Sequence, residues 1–217
     1  GTARAVAGAL AGSGVPLGLV PYGTANLFAR NLGLRPRALR RNVAIALAGT
    51  PRAIDVGWSA HRVDGRWSGE EPFLVVAGLG HDAATVLATR PRLKRWLRWL
   101  AYFEAGLRHL GRAPLDVTVA ADDQPPRRVR TWCVLAGNCG RLPAGVRVFP
   151  DARPDDGVLE TLLVPLRHSW EWASVAVKGL LAPRRDVRAL EYGRAATLRV
   201  LPDRPQPGQR AGGEHGL

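Results

Sequence analysis

The sequence predicts a chain of class α/β plus β. An incomplete α/β layer covers residues 1–50, and a β-rich, sandwich-like domain with inserted helices covers residues 51–202. Three observations carry this. Before Pro51, helical periods surround a single apolar run, and one strand cannot make a sheet. After Pro51, short runs of β-formers recur between turn signals, as in antiparallel sheets. Two longer stretches, 81–110 and 168–182, carry a helical period instead. Residues 203–217 are rich in Pro and Gly and form a tail that can return to the first domain.

The elements follow in order. Residues 3–11 read as a helix ended by Gly12 and Gly14. Residues 15–20 read as a short buried strand, 21–26 as a tight loop, and 27–32 as a second helix. A third helix spans 37–48 and stops near Gly49. Residues 53–57 and 59–63 alternate like strands, and Asp64-Gly65 is a hairpin signal. Residues 72–77, 115–120, 129–136, 157–164 and 195–201 supply further strands, with a turn at Asp122-Asp123.

Charge narrows the partners. The chain has 217 residues, 31 Lys+Arg against 18 Asp+Glu, and a formal charge of +13. Lys94 and Lys178 are its only lysines, so the choice of Arg over Lys reads as codon bias of a GC-rich genome. The net excess is a separate fact, and it favours anionic partners: phosphate ligands, acidic membrane or nucleic acid. No nucleic-acid-binding motif and no strand of stacking aromatics is present, so nucleic acid is the weakest of these. Cys133 and Cys139 form no C-x-x-C pair, which argues against a disulfide scaffold or structural zinc and for reduced thiols in a cytoplasmic protein. His61, His81, His109, His168 and His215 are scattered and match no metal-binding spacing. Residues 5–29 carry no charge, but Pro16, Pro21, Ser13, Asn26 and five glycines interrupt them, so they are not read as a membrane span.

Two loops carry candidate chemistry. In Pro21-Tyr-Gly-Thr-Ala-Asn-Leu-Phe-Ala-Arg30 a strand runs through small residues straight into a helix. Small residues let backbone N–H groups approach an anion, and a helix start adds free donors. Thr24 and Asn26 can add side-chain hydrogen bonds. The other reading is an ordinary strand-to-helix turn with Asn26 as N-cap. Asp151, Asp155 and Asp156 crowd a second loop before a strand. Clustered oxygens suit a hard cation such as Mg²⁺, and they equally suit a solvated turn.

Residues 90–112 hold seven bases and one acid. At helical spacing Leu93, Trp96, Leu100, Phe103, Leu107 and Leu110 share one face, and Lys94, Arg95, Arg98, Arg108 and Arg112 the other. Such a helix packs on the sandwich, lies at an anionic bilayer surface, or does both. Trp170 and Trp172 open a second stretch of similar character.

Five segments, in order, resemble the diacylglycerol kinase catalytic family of bacterial lipid kinases. Residues 21–30 resemble its G-T-x-N motif. Ala53-Ile-Asp-Val-Gly57 resembles its Asp-x-Gly strand, and Val76-Ala-Gly-Leu-Gly-His-Asp-Ala83 its A-G-x-G-x-D-A segment. Leu135-Ala-Gly-Asn-Cys-Gly140 resembles its V-G-N strand. Phe149-Pro-Asp-Ala-Arg-Pro-Asp-Asp-Gly-Val-Leu159 resembles its P-x-A-x-x-D-D-G-x-L signature, the most specific of the five. Gly1-Thr2 before a helix is similar to the end of the family's Gly-Gly-Asp-Gly-Thr nucleotide loop. On that reading Gly-Gly-Asp lies upstream of a truncated nucleotide domain, and this stretch alone is expected to be inactive.

The resemblance implies an NAD-kinase-like nucleotide domain and an ATP-dependent kinase acting on the hydroxyl of diacylglycerol or a related lipid. It implies ATP held by Gly1, Thr2, Gly23, Thr24 and Asn26. It also implies Mg²⁺ held by the Asp156 side chain and the carbonyls of Arg153 and Val158. A kinase of an alcohol needs a carboxylate to accept the hydroxyl proton. By the resemblance this is Glu214, in Gln209-Arg-Ala-Gly-Gly-Glu-His215, with Asp82 as the fallback acid. The family has an Asp in that turn where this chain has Ala211 or Gly212, which keeps a catalytically impaired lipid-binding relative as the alternative. Leu27 stands where many members have Asp, a difference of subfamily. The implied partners are the lipid and an anionic membrane surface, with the protein peripheral at its cytoplasmic face. A homodimer is compatible with the sequence.

Overall fold

A computed structural model describes residues 1–23, 25–63, 66–80, 114–141, 147–165, 190–203 and 208–210. The chain divides into two compact units. The first takes in Gly1–Val76 and Asn138–Gly157; the second takes in Ala77–Gly137 and Val158–Gln209.

The first unit opens with α1, Thr2–Leu10, a residue earlier than the expected helix. The Gly1 carbonyl accepts from the amides of Arg4 (3.0 Å) and Ala5 (3.3 Å), which starts the helical ladder. α2, Leu27–Asn31, and α3, Leu39–Ala48, follow, and α3 ends at Gly49 as the sequence implies. Residues 15–20 form no strand, and Val15, Leu17 and Val20 are exposed. The buried strand expected there is therefore corrected. A strand needs a neighbour for its N–H and C=O groups, and among the described residues none lies beside it.

A long hairpin completes the first 76 residues. β1, Gly57–Ser59, pairs antiparallel with β4, Glu71–Phe73, while β2, Arg62–Val63, pairs with β3, Arg66–Trp67. Residues 64 and 65, the expected turn, lie outside the described residues.

The second unit holds two sheets. β10 (Glu191–Ala195), β9 (Leu159–Leu163), β8 (Cys133–Gly137), β5 (Val76–Gly80) and β12 (Gly208–Arg210) form one, in that order. β11 (Leu198–Pro202), β6 (Leu115–Ala121) and β7 (Arg127–Thr131) form the other. Every second residue of β6 points inward: Leu115, Val117 and Val119 are buried and meet Val134 of β8 and Leu163 of β9. Leu79, Val129, Leu198 and Val200 close over this cluster. The two sheets thus share a core, as expected for a sandwich. Each fully buried valine or leucine in it contributes about 1.5–3 kcal/mol relative to exposure.

Two expected strands are each broken in two. The run 72–77 bends at Leu74-Val75, whose carbonyls are taken by Asn138 and Cys139 instead of a strand. The run 129–136 bends at Trp132, and the chain passes from one sheet to the other. There the Thr131 hydroxyl donates to the Cys133 carbonyl at 2.9 Å and accepts the Val164 amide at 3.0 Å. β10 and β12 were not expected. The helices expected at 81–110 and 168–182, including residues 90–112, Trp170 and Trp172, lie outside the described residues.

Candidate functional site

The candidate glycine-rich elements are partly described. Gly1 caps α1, and Thr2 is its first residue, so the first amides of the helix lack partners inside it. Asn26 precedes α2 in the left-handed region, at φ +47 and ψ +41. Its side chain makes no N-cap bond; the amide donates back to the Gly23 carbonyl. The N-cap role considered for Asn26 is therefore filled by position only. Arg30 Nε donates to the Ala25 carbonyl at 3.0 Å and folds the same turn on itself. Among the described residues no hydrogen bond joins Gly1 or Thr2 to Gly23 or Asn26. Thr24 lies outside the described residues.

The Asp-Asp-Gly loop is held by the rest of its unit. Asp55 Oδ2 accepts the Gly157 amide at 2.7 Å, and the Asp55 amide donates to the Pro154 carbonyl at 2.6 Å. These two bonds bracket Asp155 and Asp156 and fix the ends of the short turn that carries them. Gly157 has φ +69, a conformation a side chain would strain, which is why glycine closes the loop. Arg153 Nε lies 3.5 Å from Asp155 Oδ1, a surface ion pair of little energetic weight.

Asn138 holds Asp55 in turn. It is 1% exposed, and its Nδ2 donates to the carbonyls of Asp55 (3.0 Å) and Leu74 (3.3 Å). Its backbone amide donates to the Val75 carbonyl at 2.8 Å. Beside it Cys139 Sγ contacts the Leu74 carbonyl at 3.2 Å, and burial pushes that thiol up to about 12. A thiol so protonated is a packing group, not a nucleophile. Asp55 and Asn138 were visible in the sequence only as letters of two motifs, because the partners that give them roles lie 83 and 102 residues away.

The set the resemblance implies for Mg²⁺, the Asp156 side chain with the carbonyls of Arg153 and Val158, consists of oxygen donors, the type Mg²⁺ takes. Among the described residues no three His, Cys, Asp or Glu side chains gather as a denser metal cluster would require. Glu214 and Asp82 lie outside the described residues.

Comparison with known proteins matches these elements. Residues 1–59 match the diacylglycerol kinase catalytic domain, and residues 74–177 match the YegS C-terminal NAD kinase beta sandwich-like domain. The chain is 33% identical over 153 residues to a Chromohalobacter salexigens protein named "Probable lipid kinase YegS-like", over 70% of this chain and 45% of that one. It is 25% identical over 186 residues to the diacylglycerol kinase of Bacillus subtilis, covering 85% and 58% respectively. It is 29% identical over 153 residues to a Mycobacterium tuberculosis diacylglycerol kinase, covering 70% and 48%. The chain thus spans about half the length of these relatives. The fold matches a crystal structure of a Bacillus anthracis diacylglycerol kinase with TM-score 0.60 at 17% identity, over 90% of this chain and 59% of that one. A second Bacillus anthracis chain gives TM-score 0.65 at 20% identity, over 93% and 63%.

The fold is NAD-kinase-like with a β-sandwich domain. The chain belongs to the diacylglycerol kinase family, whose relatives named here are lipid kinases.

Proposed function

We propose that this chain is part of an ATP-dependent lipid kinase that transfers the γ-phosphoryl group to the free hydroxyl of diacylglycerol or a closely related lipid. The observation that supports it most is the Asp55–Gly157 clamp, within a chain that retains the family's ordered motifs. The clamp fixes the ends of the loop that carries Asp155 and Asp156. In this reading Gly1, Thr2, Gly23, Thr24 and Asn26 approach the ATP phosphates, and small residues let main-chain donors come close. Asp156 and the carbonyls of Arg153 and Val158 would hold a Mg²⁺ ion. That ion would be structural or activating, distinct from the Mg²⁺ that travels with ATP. Asp55 and Asn138 keep the ligand loop in one conformation before any ion arrives. Glu214 accepts the proton of the lipid hydroxyl as phosphorus is attacked.

A second reading is a lipid-binding relative with impaired catalysis, favoured by Ala211 and Gly212 where the family carries an Asp. Transfer of labelled phosphate from ATP to diacylglycerol in detergent micelles separates the two. Lipid binding without transfer supports the second. No helix among the described residues is long and apolar enough to cross a membrane.

A further inference from the structure

Within the first unit a side chain joins the segment of the candidate phosphate loop to the segment of the Asp-Asp-Gly loop. Asn31 closes α2, the short helix that follows residues 21–26. Its Nδ2 donates to the Leu27 carbonyl at 3.0 Å and to the Arg141 carbonyl at 2.9 Å, and its Oδ1 accepts the Arg141 amide at 2.9 Å. Both hydrogens of the amide nitrogen and its oxygen are thus used, which fixes the orientation of the group. A side-chain amide offers the same donor and acceptor as a peptide group, so Asn31 pairs with Arg141 as a neighbouring strand would. Leu27 is the first residue of α2, directly after Asn26, so the bond to its carbonyl carries the link back to the end of the loop.

Beyond Arg141 the link continues through the backbone. Arg141 faces Arg147 in an isolated antiparallel bridge. The Gly140 carbonyl accepts the amides of Val148 (3.0 Å) and Phe149 (3.2 Å). The two stretches are in close contact there: a Cβ on Gly140 would lie 2.5 Å from the Phe149 carbonyl oxygen, and Phe149 is fully buried. Phe149 and Pro150 open the loop that carries Asp155 and Asp156. Asp55 fixes the far end of that loop, and the Asn31–Arg141 pair fixes the approach to it.

We propose that Asn31 is a positioning residue that sets the register between the loop 21–26 and the Asp-Asp-Gly loop. It acts through the Arg141 backbone and holds no ligand itself. The inference rests on the lipid-kinase reading for what the two loops bind. Asn31 and Arg141 each lie one residue beyond a family motif, at 21–30 and 135–140, and they are 110 residues apart. No sequence signal marks the pair.

Amide hydrogen exchange and steady-state kinetics on the protein that carries this chain test it, with Asn31→Ala set against Asn42→Ala. Asn42 is buried in the same unit, donates to the Arg35 carbonyl at 2.9 Å and belongs to neither loop. Asn31→Ala is expected to speed exchange of the Val148 and Phe149 amides about tenfold, the scale of one lost hydrogen bond. The ATP KM should rise about tenfold, while the diacylglycerol KM stays within about twofold. Asn42→Ala should lower the urea midpoint and leave both KM values and those two amides unchanged. Unchanged exchange at Val148 and Phe149 in Asn31→Ala overturns the proposal. So does an equal rise of both KM values in the two variants, since loss of stability alone then explains it. A wild-type protein that transfers no phosphate strikes the kinase reading instead. The exchange result still stands in that case, and the ADP dissociation constant from calorimetry takes the place of KM. Equal ADP affinity in the wild type and Asn31→Ala then overturns the proposal.

Discussion

Asp55 Oδ2 accepts the Gly157 amide proton at 2.7 Å, joining two positions 102 residues apart. With the bond from the Asp55 amide to Pro154, it makes one residue the anchor of the Asp-Asp-Gly loop. Asp55→Ala should cost about 1 kcal/mol, the net worth of a partly exposed hydrogen bond. Its sharper signature is local: the Gly157 amide should lose hydrogen-exchange protection while the sandwich amides keep theirs. Unchanged protection at Gly157 would contradict the clamp.

Asn138 should tolerate Ala better than Asp. Ala removes two donors and leaves a small cavity, costing about 2 kcal/mol. Asp keeps the shape but turns an acceptor toward the carbonyls of Asp55 and Leu74 in a site that excludes water, which should cost more. Urea unfolding of both variants checks the order. Asp equal to wild type would show that the Nδ2 bonds carry no weight.

Gly80 has φ +128, and a Cβ placed there would lie 2.5 Å from the Trp132 carbonyl oxygen. The bend at Trp132 passes the chain between the two sheets and leaves that carbonyl little room to move. Gly80→Ala should therefore cost about 3 kcal/mol, from backbone strain and overlap together. A shift of the urea midpoint measures it, and a neutral result would contradict the close approach.

Burial raises the Cys139 thiol to about 12, and it raises the Tyr192 phenol as well. In both cases the folded state holds the proton longer than the unfolded one. Their stabilisation is complete below the unfolded values and is lost as pH climbs through the alkaline range toward the folded ones. Stability should fall over that window, and less steeply in Cys139→Ala. At pH 8 a thiol reagent should label Cys139 only after denaturant is added. Rapid labelling of the native chain would place the thiol at the surface.

The sandwich was legible because its strands keep a period of two. In β6, Leu115, Val117 and Val119 alternate with outward residues, and the pattern alone places them in the core. The breaks at Leu74-Val75 and at Trp132 were not legible. Each is made by side chains distant in sequence or by a local hydroxyl, and hydropathy does not register them. Residues 15–20 show the converse: an apolar run states a preference for burial without naming the neighbour that provides it. β10 escaped notice because Glu191, Gly193 and Arg194 look like a loop. Its place is set by pairing with β9, where Arg194 Nε meets the buried Glu160 carboxylate at 2.9 Å. For the site, the motif letters marked the loop, but the Asp55 clamp and its Asn138 support became visible only when three segments met.

The lipid-kinase account is tested most directly by incubating the protein that carries this chain with labelled ATP, Mg²⁺ and diacylglycerol in mixed micelles, and following label into the lipid. The expected result is a phosphorylated lipid whose formation falls about 100-fold or more in Glu214→Gln, the range for loss of a general base. Absence of labelled lipid, in a preparation that still binds diacylglycerol, would contradict it.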